Sequence, residues 1–203
     1  MIRVNGKEVE VKRFPDGTAN VKGDVSLQGE TVVITWNYED DAEFVAVSLL
    51  TKFYQAHGMN VSLFLPYVPN ARMDRIEEPN DIFAMKYFAE MINSLNFDRV
   101  FVVDPHSSVV AATIKNCNVI NTNIFVSNVL DMLIHDGITP FMFFPDEGAM
   151  KRYSKGIKIP YAFGVKRRDW KTGQIFGLDV MGIKPEEIKG KDVLIRDDIC
   201  SKG

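Results

Sequence analysis

Val100-Phe101-Val102-Val103-Asp104-Pro105-His106 sets the reading of the chain: a short apolar run, stopped by an aspartate, with a histidine two residues beyond. The same figure recurs twice, in Phe141-Met142-Phe143-Phe144-Pro145-Asp146 and in Val193-Leu194-Ile195-Arg196-Asp197-Asp198. Each apolar run reads as a strand, and helical patterns lie between the strands. Strands that alternate with helices predict an α/β architecture with mainly parallel sheets.

Working outward, Asn5-Gly6 between two β-favouring runs predicts a tight hairpin. Thr31 to Trp36 reads as a buried strand, followed by a helix that begins after Asp40-Asp41 and runs to about His57, where Gly58 stops it. Val61 to Leu65 is the next strand, and Pro66 and Pro69 open a long polar loop to about Asn80. Asn80-Asp81 then start a helix with Ile82, Phe83, Tyr87, Phe88 and Met91 as its apolar positions. After Val100–Val103 come a short helix and a strand at Cys117 to Ile120. The pattern restarts near residue 123, which predicts two similar α/β domains, 1–123 and 124–203. The second holds a helix from Val126 to His135, a helix from Glu147, and strands at Phe141–Phe144, Tyr161–Val165, Ile175–Val180 and Val193–Ile195. Because the chain stops just after a strand, the second domain is expected to be incomplete.

The 203 residues carry a net charge of −3, with no global basic footprint for nucleic acid or an anionic membrane. No apolar run reaches the ~18 residues of a membrane span. The first residues hold no apolar signal core, so the expected location is the cytoplasm. Cys117 and Cys200 make no metal spacing and are expected to be free thiols.

Ligands of parallel sheets bind beyond the carboxyl ends of the strands, where Asp104, Asp146, Asp197 and Asp198 fall. Carboxylates gathered there suit Mg²⁺ carrying a polyphosphate, or they cap the helices that follow. His106 shares the loop of Asp104 and is a candidate phosphate or metal contact. His57 and His135 fall at helix C-termini and read as structural. Two basic runs, Arg72-Met73-Asp74-Arg75 and Lys166-Arg167-Arg168, are expected to leave strand ends on the same edge, where cations could meet a phosphoryl group. Neither GxxxxGK[ST] nor GxGxxG occurs.

Taken together, these segments resemble the ribose-phosphate diphosphokinases, the synthetases of phosphoribosyl pyrophosphate. Phe14-Pro15-Asp16-Gly17 is similar to the family's Phe-Ser-Asp-Gly loop, and the run from Pro66 to Arg75 to its Pro-Tyr-x-x-x-Ala-Arg-Gln-Asp-Arg. Asp104-Pro105-His106-Ser107 resembles Asp-Leu-His-Ala/Ser, Pro145-Asp146-Glu147-Gly148 resembles Pro-Asp-x-Gly, and Lys166-Arg167-Arg168 the mobile Lys-Arg-Arg loop. Gly190-Lys191 through Asp197-Asp198 is similar to the approach to the phosphoribosyl loop. The order agrees from Phe14 to Gly203.

The resemblance implies two phosphoribosyltransferase-like domains, Mg²⁺ as cofactor and ATP as co-substrate. The β,γ-diphosphoryl group would pass to the 1-hydroxyl of ribose 5-phosphate, releasing AMP. By that resemblance Phe14, Asp16, Arg72, Asp74, Arg75 and His106 would bind ATP, with Phe14 and Asp16 acting across a subunit interface of a homo-oligomer. Asp104, His106 and Asp146 would serve the metal, and Lys166, Arg168 and His106 the transfer itself. Asp146, Asp197, Asp198, Ser201, Lys202 and Gly203 would bind the sugar phosphate.

The chain departs from the family pattern at Thr18 (usually Glu), Met73 (usually Gln), Pro105 (usually Leu) and Cys200-Ser201-Lys202-Gly203. Lys202 makes the last loop more cationic, which raises ADP-ribose as an alternative acceptor and links it to NAD metabolism. A non-catalytic regulatory paralogue is the other alternative. A phosphoribosyltransferase would leave the Phe14 loop and the Arg72–Arg75 run unexplained.

Overall fold

Asn5 and Gly6 take φ of 47° and 82°, both left-handed. That geometry suits a two-residue turn between twisted strands, and it pairs β1 (Ile2–Val4) antiparallel with β2 (Lys7–Val9). The computed structural model describes residues 1–27, 29, 31–168 and 175–199. The chain divides into two compact units, Met1–Asn121 and Thr122–Gly203. Thr122 opens the second unit, its carbonyl accepting from the Phe125 and Val126 amides of the next helix at 3.1 and 3.3 Å.

In the first unit β3 (Lys12–Arg13) and β4 (Ala19–Asn20) form a separate small hairpin. The main sheet continues through β5 (Thr31–Trp36), β6 (Asn60–Leu65), β7 (Val100–Val103) and β8 (Cys117–Ile120). Its order is β2-β1-β5-β6-β7-β8, with β5 to β8 parallel. Val32, Ile34 and Trp36 alternate into the core, as the period of a strand requires. Helix α1 (Glu43–Ala56) buries Ala46, Val47, Leu50 and Tyr54. Asp40 Oδ1 accepts from the Glu43 amide at 3.2 Å at its start, and Gly58, at φ 76°, follows its end.

Helix α2 corrects the expectation in both start and face. It runs from Ala84 to Ser94 and buries Met85, Phe88, Ala89 and Ile92, the i, i+3, i+4, i+7 stripe. Ile82, Tyr87 and Met91 are exposed. Asp81 does not cap this helix, because its carboxylate accepts from the amides of Glu77 and Glu78 and closes the preceding turn instead. The short helix α3 (Ser108–Thr113) lies between β7 and β8.

The second unit begins with α4 (Asn123–His135) and continues through β9 (Phe141–Phe144), α5 (Glu147–Tyr153), β10 (Tyr161–Arg168), β11 (Ile175–Met181), α6 (Pro185–Ile188) and β12 (Val193–Ile195). Sheet order is β11-β10-β9-β12, with β9 parallel to both β10 and β12 and β11 antiparallel at the edge. Met142 and Phe144 pack with Leu130 of α4 and Ala149 and Tyr153 of α5. One expectation is overturned here: Lys166, Arg167 and Arg168 do not follow a strand. They complete β10, held in register by β11, where Lys166 pairs with Leu178 and Arg167 with Gly177. Among the described residues no helix is long and apolar enough to cross a membrane. Both units thus have the α/β, mainly parallel architecture read from the alternation.

Candidate active site

In the first unit the loops after β6 and β7 start side by side, because Leu63, Phe64 and Leu65 pair with Val100, Phe101 and Val102. The loop after β6 is anchored by buried Val68 and Ala71, while Arg72 and Arg75 are exposed. Asp74 points inward and is 6% exposed. Burial alone would raise its carboxyl, but hydrogen bonds from Ser107 and Arg75, with the charges of Arg75 and His106, hold it below the usual range. The Arg75 Nε lies 2.9 Å from Asp74 Oδ1. Ser107 also caps α3, its oxygen accepting from the Val109 amide at 3.3 Å. One buried carboxylate therefore ties the arginine loop to the loop that carries Asp104 and His106.

Asp104 ends β7 with φ 41°, a left-handed conformation that a short polar side chain tolerates best. Its amide donates to the Ile120 carbonyl at 3.1 Å. Pro105, His106 and Ser107 follow it and are all half-buried. Backbone held in such a region is costly and clusters at functional loops.

Phe14 stands at the mouth of the β3–β4 hairpin, where its amide donates to the Thr18 carbonyl at 2.9 Å, and its ring is 51% exposed. Asp16 is engaged within its own turn. Oδ1 accepts from the Thr18 hydroxyl at 2.7 Å and from the Thr18 amide at 2.9 Å, which hold the carboxyl below its ordinary value. Thr18, which read only as a departure from the family pattern, is the residue that shapes this turn.

In the second unit the chain passes from β9 to β10 on one side and returns to β12 on the other, the reversal of strand order beyond whose carboxyl ends such sheets take their ligands. Asp146 and the pair Asp197-Asp198 follow the neighbouring parallel strands β9 and β12. Asp146 caps α5, with Oδ1 accepting from the Ala149 amide at 2.9 Å, while Oδ2 accepts from Lys166 Nζ at 2.7 Å. The Lys166 ammonium, followed by the α5 amides, keeps this carboxyl low against the opposing effect of burial. Asp197 is displaced the other way: burial, then the neighbouring Asp198 and the charge of Asp146, push its carboxyl up. Asp198 meets Arg152 at 3.5 Å.

Sequence reading missed several residues that hold this edge in place. Arg196 is 6% exposed, lies 3.9 Å over the Tyr153 ring and donates to Thr122 Oγ1 at 3.0 Å. A lone arginine at the end of an apolar run was the available signal. Arg167 is not aimed with Lys166. It forms a two-pronged ion pair with Asp179 on β11, through Nε to Oδ2 at 2.6 Å and NH2 to Oδ1. The backbone of Arg168 ends β10, whereas Cys200, Ser201, Lys202 and Gly203 lie outside the described residues. Cys117 is a free thiol, pushed up by burial. Among the described residues no three His, Cys, Asp or Glu side chains form a cluster that could hold a metal by themselves.

Fold and site together define a class: two α/β units with polar and charged loops at the carboxyl ends of parallel strands. No family model matches the chain. It is 28% identical over 203 residues to a ribose-phosphate pyrophosphokinase of Saccharolobus solfataricus, covering 97% of this chain and 68% of that protein. The protein of the same name from Pyrococcus abyssi is 25% identical over 201 residues, covering 96% of this chain and 67% of its own length. The crystal structure of phosphoribosylpyrophosphate synthetase from Mycobacterium smegmatis superposes with a TM-score of 0.73 at 17% identity and shows the fold. It covers 94% of this chain, which in turn spans 62% of that one. The resemblance to ribose-phosphate diphosphokinases thus extends over nearly the whole chain, which is about a third shorter than these relatives.

Proposed function

We propose that this chain carries the ATP and sugar-phosphate loops of a ribose-phosphate diphosphokinase. In the proposed reaction the 1-hydroxyl oxygen of ribose 5-phosphate attacks the β-phosphorus of ATP. The bond from that phosphorus to the α,β-bridging oxygen breaks, AMP leaves, and the hydroxyl proton passes to solvent. The observation that carries the reading is the Asp74 junction, which presents Arg72 and Arg75 beside the Asp104–Ser107 loop at the ends of adjacent parallel strands.

On this reading Arg72 and Arg75, exposed and always charged, bind the ATP phosphates, and Asp74 positions Arg75 through its 2.9 Å contact. Asp104 and His106 face the same phosphates. Phe14, half-exposed at its hairpin, stacks on an adenine held by a neighbouring subunit, and Asp16 fixes the turn that presents it. Asp146, Asp197 and Asp198 receive the ribose hydroxyls, while Lys166 and Arg168 meet the charge of the transferring group. Asp104, Asp146, Asp197 and Asp198 offer hard carboxylate oxygens but no cluster that could hold a metal by itself, so Mg²⁺ would come to the site with the polyphosphate. Carried in on ATP, Mg²⁺ would neutralise polyphosphate charge; positioning and charge complementarity by the protein supply the rest.

The test is to incubate the complete parent chain, of which these 203 residues are expected to be a part, with Mg²⁺-ATP and either ribose 5-phosphate or ADP-ribose. AMP and the diphosphorylated sugar are followed by chromatography and phosphorus NMR. Product with ribose 5-phosphate is expected. Product with ADP-ribose alone would reassign the acceptor, and ATP binding without AMP from either acceptor would favour the regulatory paralogue.

A further inference from the structure

The period of β12 runs on past its last residue. Leu194, Arg196 and Asp198 turn inward, while Val193, Ile195 and Asp197 are exposed, the alternation of an extended chain. The Arg196 amide donates to the Phe143 carbonyl at 3.0 Å and carries the ladder with β9 one residue beyond Ile195. Two consecutive residues at the end of α5 then take the two inward polar side chains. The Arg196 guanidinium lies 3.9 Å from the centre of the Tyr153 ring. Asp198, its side chain 13% exposed, meets Arg152 at 3.5 Å. Arg196 also donates to Thr122 Oγ1 at 3.0 Å, just before α4. Between these two holds stands the outward residue, Asp197, whose Oδ1 accepts from the Asp198 amide at 2.9 Å.

We propose that Arg152, Tyr153 and Arg196 sort the aspartate pair: Asp198 is a structural anchor, Asp197 alone is presented to a ligand, and Arg196 is the residue that positions it. The ligand rests on the proposed function, where it is the hydroxylated sugar phosphate, and the inference narrows that contact from two aspartates to one. A chain pinned at 196 and 198 has little freedom left at 197. Its carboxylate therefore meets a sugar hydroxyl with little further loss of entropy.

The complete parent chain serves for the test, assayed with Mg²⁺-ATP and ribose 5-phosphate. Arg196→Met should raise the acceptor KM about 3- to 10-fold and leave kcat and the KM for ATP unchanged. Arg196→Lys keeps a cation over Tyr153 and should recover part of the loss. Asp197→Ala should raise the acceptor KM about 10- to 100-fold, the loss of a charge-assisted hydrogen bond, without moving the thermal midpoint. Asp198→Ala should lower that midpoint, and in an Arg152→Met background it should add little to either the midpoint or the KM. A further rise of about tenfold in KM in that background would mean that Asp198 touches the acceptor itself, and would overturn the proposal. Hydrogen exchange read by mass spectrometry, with no substrate present, does not depend on turnover. Arg196→Met should speed amide exchange at 196–199 and leave Phe141–Phe144 protected. Should that variant fail to fold, Thr122→Val, which removes one contact of Arg196, stands in for it. Unchanged exchange at 196–199 would overturn the proposal. Absence of product from either acceptor with the unaltered protein, alongside the expected exchange response, would count against the proposed function alone.

Discussion

Replacing Asp74 tests whether one buried carboxylate organises the arginine loop. Its side chain is 5% exposed, against 64% for its partner Arg75. Removing an ionised acceptor from a buried hydrogen bond costs about 1.5–3 kcal/mol, which applies to the bond from Ser107. The Arg75 contact is largely in water and adds about 0–1 kcal/mol. Asp74→Ala should therefore destabilise the unit Met1–Asn121 by about 2–4 kcal/mol. At roughly 3–6 °C per kcal/mol for a unit of this size, its thermal midpoint should fall by about 6 to 24 °C. Asp74→Asn can still accept from Ser107 and should lose about half as much.

The pH dependence has a definite sign. The folded carboxyl is depressed, so its contribution is fully present above the unfolded value of about 3.9 and is lost as pH falls through the lower folded value. The gap between wild type and Asp74→Asn should hold from pH 7 to about 5 and close below about 4. Thermal unfolding followed by far-ultraviolet circular dichroism across this range is the assay. An Asp74→Ala protein within about 0.5 kcal/mol of wild type at pH 7, or a gap indifferent to acid, would refute the reasoning.

Gly164→Ala places a methyl group against the Pro145 carbonyl and should cost about 1–3 kcal/mol in thermal unfolding. Arg196→Met keeps the volume but loses the cation over Tyr153 and the bond to Thr122. A loss of about 1–3 kcal/mol is expected, with a change in the tyrosine near-ultraviolet dichroism. Asp146→Asn retains a good cap for α5, whereas Asp146→Ala does not, so the second should be less stable by about 1 kcal/mol. Both should cut AMP formation more than tenfold if the carboxylate serves the acceptor, as initial rates with Mg²⁺-ATP and ribose 5-phosphate will report.

Legibility followed the range of the interactions involved. Thr31–Trp36, Val100–Val103 and Phe141–Phe144 emerge as strands with the bounds read from the sequence, because a buried apolar run needs little context to be recognised. Helix α2 was misread by two to four residues at its start, and with it the buried face. Asp81 carries the same cap chemistry whether it closes a turn or opens a helix, and only the sheet beneath decides which. The basic run Lys166-Arg167-Arg168 read as a loop because charge usually signals solvent. Pairing with β11, where Lys166 faces Leu178 and Arg167 faces Gly177, keeps it in a strand.

The sequence by itself determined the α/β class, the resemblance and which side chains could meet phosphate, since periodicity and residue chemistry are local properties. Tertiary structure decided how those side chains are employed. Asp74 and Asp16 are turned onto Ser107 and Thr18, Arg167 is separated from Lys166 by the pleat, and Gly164 brings Lys166 to Asp146. These outcomes depend on which strands lie side by side and how closely they pass. That is a matter of packing between segments far apart in the chain, and no short window of residues encodes it.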